Sequence, residues 1–314
     1  MRIVIVGGAG FIGTSLARSL QRVNLRPVVL DTERRLARSA EALADIDVAA
    51  FDFVHDRNAV DLIGDASALI HLACTSNPSR SMQDIAGDAE SNIAPSVRLF
   101  DAAAAAGVER VIFASSGGTV YGNPERLPVS ETHTARPLSA YGISKLAIEQ
   151  YLALYPQLHG VSMRIANPYG SYQLVGTSIG VIARYVVAAM SGQALEVWGD
   201  GSVIRDFIAV EDVMSAFHHA LTSNSLPAGA YNIGSGVGHS INDVIEAIGR
   251  AIGKPVSARY LEARGYDVPA IILDSARFSA CTSWSARIPL EEGISALCTT
   301  ARMKLSGNTE SHAT

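Results

Sequence analysis

The sequence predicts an α/β protein, a doubly wound parallel sheet carrying a smaller C-terminal α/β lobe. Three observations predict it. Short apolar runs without strict alternation recur through the first half, as expected of strands buried on both faces. Longer helix-forming stretches separate them, so strand and helix alternate as parallel crossovers require. A glycine-rich turn, GGAGFIG at 7–13, joins the first strand to the first helix. In chain order, strands are predicted at 2–7 (RIVIVG), 26–31 (RPVVLD), 48–53 (VAAFDF), 68–73 (ALIHLA), 110–115 (RVIFAS) and 161–166 (VSMRIA). Helices fall between them, among them 12–22 and 92–106. Past residue 170 the rhythm changes to helices at 178–191, near 211–222 and at 240–252, with short strands at 258–262 and 268–274. The polar end, 303–314, is expected to fray.

The chain has 314 residues (33.1 kDa), enough to bury a large core in one domain or two. Its composition, 48% apolar and 18% charged, is that of a soluble α/β protein. A net charge of -5 argues against a nucleic-acid partner. No apolar run approaches the roughly 20 residues of a membrane span. The opening MRIVIVGGAG enters a strand directly, unlike a signal peptide. Cys74, Cys281 and Cys298 are too far apart for metal-ligand spacing, so no metal is expected and they read as reduced thiols of a cytoplasmic protein.

Gly8, Gly10 and Gly13 satisfy G-x-G-x-x-G, and Gly7, Gly10 and Gly13 repeat at every third residue. Between a strand and a helix, such a turn lets the backbone approach a pyrophosphate that rests on the helix N-terminus. Asp31 ends the second strand, where a carboxylate accepts ribose hydroxyls and repels a 2′-phosphate, favouring NAD over NADP. Arg34 and Arg35 follow and could host a phosphate.

Tyr141 and Lys145, in SAYGISKLAIEQYL, lie one helical turn apart and share a face. A lysine ammonium there is expected to pull the phenol down from its usual ~10, by roughly three units or ~4 kcal/mol. Tyr141 would then serve as an acid/base at a sugar hydroxyl.

Together these landmarks resemble the extended short-chain dehydrogenase/reductases, in particular the NAD-dependent epimerase/dehydratase family. The resemblance runs from residue 1 to roughly 300. It is carried by GGAGFIG, Asp52–Phe53, HLA at 71–73, Asn92, SSGGTVYG at 115–122, YGISK at 141–145 and NPYG at 167–170. GDG at 199–201, RDFIAVEDV at 205–213, NIGSG at 232–236 and RGYDVPAIILD at 264–274 complete it. It implies a Rossmann domain binding NAD through Gly7, Gly10, Phe11, Ile12, Gly13, Asp31, Asp52, Phe53, Leu72, Ala73, Ser115, Tyr141 and Lys145. Asp52 and Phe53 would meet the adenine, and Lys145 also the nicotinamide ribose. Asn167, Arg205, Arg264 and Asp267 would hold a nucleotide-sugar substrate, the two guanidinium forks suiting its diphosphate.

In such epimerases the tyrosine takes the proton from the sugar O4 while hydride passes from C4 to NAD. The 4-keto sugar then turns over and regains hydride on its other face. A third hydroxyl should meet the same oxygen. Four residues before Tyr121 stands Gly117, whereas counting forward from FAS reaches Ser116. Ser116 and Thr119 are both eligible. SSGGT has no carboxylate, which disfavours dehydration. The expected activity is a nucleotide-sugar 4-epimerase acting on a UDP- or dTDP-hexose. The alternative is an NAD(P)H-dependent 4-ketoreductase of a nucleotide-linked 4-keto-6-deoxy sugar. Both suit relatives of polysaccharide biosynthesis. Ile271 falls at the family's gating position beside the sugar C2 substituent. The resemblance also implies an NAD domain of 1–168 with 205–235, a substrate lobe of 169–204 with 236–302, and a polar tail of 303–314. A homodimer is expected through a four-helix bundle formed by the helices near 92–106 and 141–156.

Overall fold

The computed structural model describes residues 1–174, 180–263 and 268–310. Its strands, in chain order, are β1 (Arg2–Val6), β2 (Arg26–Asp31), β3 (Asp47–Ala50), β4 (Ala68–His71), β5 (Arg110–Ser116), β6 (Val161–Ile165), β7 (Asn167–Tyr169), β8 (Leu195–Trp198), β9 (Ile204–Ala209), β10 (Gly229–Ile233), β11 (Gly238–Ser240), β12 (Ala258–Leu261) and β13 (Ala270–Ile271). Seven of them form one parallel sheet in the order β10-β6-β5-β4-β1-β2-β3. The first half therefore folds as its apolar runs predict. Ile3, Val4 and Ile5 in β1 and Val111, Ile112 and Phe113 in β5 are wholly buried. A strand covered on both faces has no polar side to alternate with.

The order of strands reverses between β1 and β4, and such a switch point opens a crevice at the carboxyl ends of the strands. The Phe11–Arg22 helix leaves β1 there. The chain exits β6 at Ile165 and enters β7 at Asn167, pairing with Phe207 of β9. Only Ala166 intervenes, and its N–H donates to the Ile233 carbonyl (2.9 Å). The main sheet thus hands the chain directly to a second, small sheet of β11, β9, β13 and β7. The Val181–Met190, Ile241–Ile252 and Leu290–Glu310 helices pack with it around Ile182, Val186, Val244, Ile248, Ile294 and Leu297.

Several boundaries differ from expectation. β3 stops at Ala50 because Asp52 turns the chain, its carboxylate accepting the Val54 N–H (2.9 Å). The 92–106 helix begins at Ile85, capped by Asp84, whose side chain accepts the Gly87 N–H. The last helix extends past 303, to Glu310. β9, grouped by sequence with the first domain, pairs in the small sheet, whereas β10 joins the main one.

Asp206 of β9 joins the two layers. It is 1% exposed and accepts from Ser235 N (2.8 Å), Ser235 Oγ (2.6 Å), Gly236 N (3.2 Å) and Leu273 N (3.1 Å). Burial raises its carboxyl above the usual range, and those donors oppose the rise. Asp206→Ala strands three backbone N–H groups in a dry site, each costing about 1–3 kcal/mol. Denaturant unfolding is expected to show a loss of about 3 kcal/mol or more, while Asp243→Ala at the exposed Ser240 cap loses about 1 kcal/mol.

Candidate active site

A cleft of about 580 Å³ opens at the carboxyl ends of β1, β4, β5 and β6. Gly7, Gly10, Phe11, Ile12, Gly13, Leu72, Ser115, Ser116, Thr119, Tyr141, Lys145, Asn167 and Arg205 all line it. These residues come from distant parts of the chain, and the topology brings them to one crevice. Ala73 lies in a second crevice behind Tyr141. Asp52 holds His55 Nδ1 (3.0 Å), and Phe53 packs against His71, ring centroids 5.0 Å apart, both outside the main cleft wall. Arg264 and Asp267 lie outside the described residues.

The glycine turn is built for close approach. Gly7 has φ +81°, and a Cβ there would fall 2.5 Å from the Ala73 nitrogen. A Cβ on Gly13 would fall 2.4 Å from Gly8 Cα, fixing helix against strand. Gly10 caps the Phe11–Arg22 helix with no side-chain hydrogen bond. Its Cβ would meet only the Gly7 carbonyl, at 3.4 Å, on the cleft wall. The helix N-terminus is therefore left to an anionic group, which fits the pyrophosphate of a dinucleotide. Asp31 sits beneath, 6% exposed, accepting Ala9 N (3.0 Å) and Thr32 N (2.9 Å) with Arg35 at 3.9 Å. Burial pushes its carboxyl up and Arg35 pulls it back. Of the two arginines after Asp31, Arg35 lines the cleft.

Tyr141 and Lys145 begin the Ala140–Leu152 helix, which Ser139 caps by accepting the Gly142 N–H (3.2 Å). The Ser81 hydroxyl accepts the Tyr141 N–H (3.0 Å). Lys145 Nζ donates to the Ala114 carbonyl (2.8 Å), 4.8 Å from the Phe113 ring centre and 5.5 Å from that of Tyr141. The expected lowering of the phenol is not what this arrangement produces. Burial drives Tyr141 above its ordinary value, with Cys74 and Asp88 adding to the rise and only the Ser116 hydrogen bond opposing it. Burial likewise lowers Lys145, and Cys74, Glu149 and Asp88 oppose that. The cause is desolvation: the ammonium is committed to a backbone carbonyl, and dry surroundings disfavour both charged forms.

Both candidates for the third hydroxyl, Ser116 and Thr119, lie on the cleft wall. A Cβ on Gly117 would strike Leu273 Cδ1 at 2.3 Å and the Arg164 carbonyl at 2.8 Å, so position 117 faces the core. Ser116 lines the cleft and acts on the phenol. Thr119 also lines it, its Oγ1 buried and without a hydrogen-bond partner among the described residues. Ile271, expected as a gate, is 2% exposed in β13 and packs in the core, with Val268 on the cleft wall. Sequence reasoning missed Cys74, Pro78, Leu138 and Ser139, which also line the cleft and belong to no spaced motif. It missed Glu149 as well, although an acid one turn beyond Lys145 was there to read. Glu149 accepts from Ser115 Oγ and pairs with Arg164 at 2.6 Å. His71 is a core histidine at the end of β4. It is fully buried on Ser96 Oγ (2.9 Å), and burial pushes it down to about 3.

Residues 3–234 match the NAD dependent epimerase/dehydratase family. The chain is 34% identical to a UDP-glucose 4-epimerase of Mycolicibacterium smegmatis, over 94% of this chain and 96% of that one. It is 30% identical to an Escherichia coli dTDP-4-dehydro-6-deoxyglucose reductase, over 96% of this chain and 98% of the other. The crystal structure of the Thermus thermophilus UDP-glucose 4-epimerase in complex with NAD superposes with a TM-score of 0.87 at 30% identity, covering 96% of this chain and 99% of that one.

The glycine turn yields a stability test. Gly7→Ala combines a left-handed backbone with a backbone collision, for an expected loss of about 2 kcal/mol or more. Gly107 has φ +74° but open space around its Cβ, so Gly107→Ala is expected to lose only about 1 kcal/mol. Equal losses in thermal unfolding would show that the approach of Gly7 to Ala73 is not what fixes the turn.

Proposed function

We propose that this chain, which belongs to the NAD dependent epimerase/dehydratase family, is a nucleotide-sugar 4-epimerase acting on a UDP- or dTDP-hexose with NAD as its cofactor. One observation carries the reading. Tyr141, Ser116 and Lys145 share a cleft with the glycine turn and with Asn167 and Arg205. The glycine turn and the Phe11–Arg22 helix N-terminus hold the cofactor pyrophosphate, and Asp31 faces the adenosine ribose. Asp52 and Phe53 flank the adenine. When bound, NAD supplies the two-electron chemistry that oxidises the sugar C4 and reduces it again. Tyr141 takes the proton from O4 and returns it, Ser116 hydrogen-bonds that oxygen, and Lys145 favours the phenolate. Asn167, Arg205 and Arg264 hold the nucleotide diphosphate, and Asp267 meets the nucleoside ribose. Binding energy spent there leaves the 4-keto sugar free to present its other face.

Residues 1–168 form the cofactor domain with 210–235, and the small sheet with its helices forms the substrate lobe. The chain acts in the cytoplasm, within polysaccharide biosynthesis. No described helix is long and apolar enough to cross a membrane, and the three cysteines are free thiols. The protein is a homodimer through the Ile85–Ala105 and Ala140–Leu152 helices. Ile143 (54% exposed), Tyr151 (42%) and Leu154 (72%) support this, standing exposed on and just after the second of these helices. The solution mass by light scattering is expected to be that of two chains, and Leu154→Glu is expected to give one.

Purified protein is expected to carry NAD and to interconvert UDP-glucose and UDP-galactose, or their dTDP counterparts, without added reductant. Tyr141→Phe is expected to lower kcat by about 10²–10⁴-fold. Ser116→Ala is expected to cost more in kcat than Thr119→Ala, and the reverse order would assign the third hydroxyl to Thr119. The Escherichia coli reductase relative supports a second reading. Stoichiometric NADPH consumption on a nucleotide-linked 4-keto-6-deoxy sugar, with no interconversion, would establish it in place of the first.

A further inference from the structure

Asp88 is a buried acid that the scheme above leaves unused. It lies in the first turn of the Ile85–Ala105 helix and is 3% exposed. Its Oδ1 accepts from the Ser76 hydroxyl and Asn92 Nδ2 (3.3 Å), and its Oδ2 accepts from Ser144 Oγ (2.7 Å). Each of these partners is neutral, and among the described residues no ion pair reaches Asp88. With Tyr141, Ser144 and Lys145 it lines the tight crevice behind the phenol.

We propose that Asp88 is a positioning residue, the one uncompensated carboxylate that keeps Lys145 an ammonium in this dry crevice. The groups facing Lys145 divide as follows. From its own helix comes Glu149, whose charge is already met by Arg164 of β6 at 2.6 Å. From the segment after β4 comes Cys74, a thiol that donates to the Ser76 carbonyl (3.5 Å). His71 of β4 is uncharged, because burial pushes it down to about 3. Burial raises the Tyr141 phenol, which disfavours its charged form. Asp88, from the neighbouring helix, is left as the source of net negative charge. Burial works to strip the proton from Lys145, and an unpaired carboxylate across the crevice works to keep it. The hydrogen bonds to Ser76 and Ser144 hold that carboxylate at its post, because those hydroxyls belong to the loop after β4 and to the residue beside Lys145.

The inference rests on the reading of Tyr141 and Lys145 as the acid/base pair, so its test reads the lysine directly. The chain has three lysines, Lys145, Lys254 and Lys304. Side-chain carbon NMR of lysine-labelled protein carrying its cofactor gives three titrations, with Lys145 assigned from Lys145→Arg. Asp88→Asn keeps the shape and removes the charge, and is expected to lower the Lys145 midpoint by about one pH unit. Asp88→Ser, a second removal of charge, should move it the same way. Ser144→Ala removes a hydrogen bond and keeps the charge, and should leave the midpoint in place. The alkaline limb of the kcat profile should move down with the midpoint in the two charge-removing variants, while KM for the nucleotide sugar stays within a few-fold. An unmoved midpoint in either folded charge-removing variant overturns the role of Asp88, whatever the activity. A shifted midpoint in a protein without epimerase activity keeps that role and rejects the proposed function instead.

Discussion

Arg164, near the end of β6, and Glu149, two turns beyond Tyr141 on the Ala140–Leu152 helix, meet where water reaches neither. Their side chains are 7% and 4% exposed, and three guanidinium contacts run from 2.6 to 3.1 Å. The pair extends in both directions. Ser115 at the end of β5 donates to Glu149, and Arg164 donates to the Tyr121 hydroxyl (2.9 Å). That hydroxyl donates to Asn232 of β10 (2.7 Å), whose amide reaches the Val129 and Asp274 carbonyls (2.8 and 3.1 Å). Removing one partner would strand a buried charge at about 3–5 kcal/mol, whereas the intact pair contributes little net stability over an apolar packing. What it fixes is orientation. With Glu149 pinned to the strand ends, Lys145 and Tyr141, one and two turns back on the same face, must point into the crevice.

The glycine turn obeys a similar double constraint. Asp31, the carboxylate suited to a ribose, is also the acceptor for Ala9 N and Thr32 N. The Ser39 hydroxyl donates to the Ala9 carbonyl (2.9 Å) from the other side. One carboxylate thus shapes the turn and, in the proposed function, would also select the cofactor. Exchanging it for a neutral residue changes the loop as well as the preference. Gly7 and Gly13 leave the loop no slack, because their missing Cβ atoms are replaced by backbone at 2.4–2.5 Å.

Much of this was legible in the residues because it was local. The parallel strands, the glycine turn and the Tyr141–Lys145 face all follow from spacing within a dozen residues. Spacing also named Ser116 and Thr119 and left them unranked; both line the cleft, while Leu273 and Arg164 occupy the space a side chain at 117 would need. Ile271, expected as a gate, is buried in β13 in register with Arg205, and no local pattern records that register. β9 reads like a strand of the first domain and pairs in the small sheet, since Ala166 is all that separates the two sheets. Electrostatics was least legible. Helical spacing brings an ammonium to a phenol, but it does not say how much water surrounds them, and burial decided the sign.

That sign bears on what the tyrosine can do. A sugar hydroxyl is a weaker acid than free phenol, so a phenol raised by burial lies closer to the alcohol than one lowered toward neutrality. A 4-epimerase needs proton transfer in both directions in every turnover, from the same atom. A raised phenol has a cost, because the phenolate needed to take the proton from O4 is then held in a dry site. In the proposed function, stabilising it falls to groups that can be fixed there beforehand, the Ser116 hydroxyl and the Lys145 ammonium. The ammonium is itself disfavoured by the same dryness, so the crevice must contain a compensating charge that does not pair away. Glu149 is already taken by Arg164, and the geometry leaves that task to the carboxylate on the neighbouring helix.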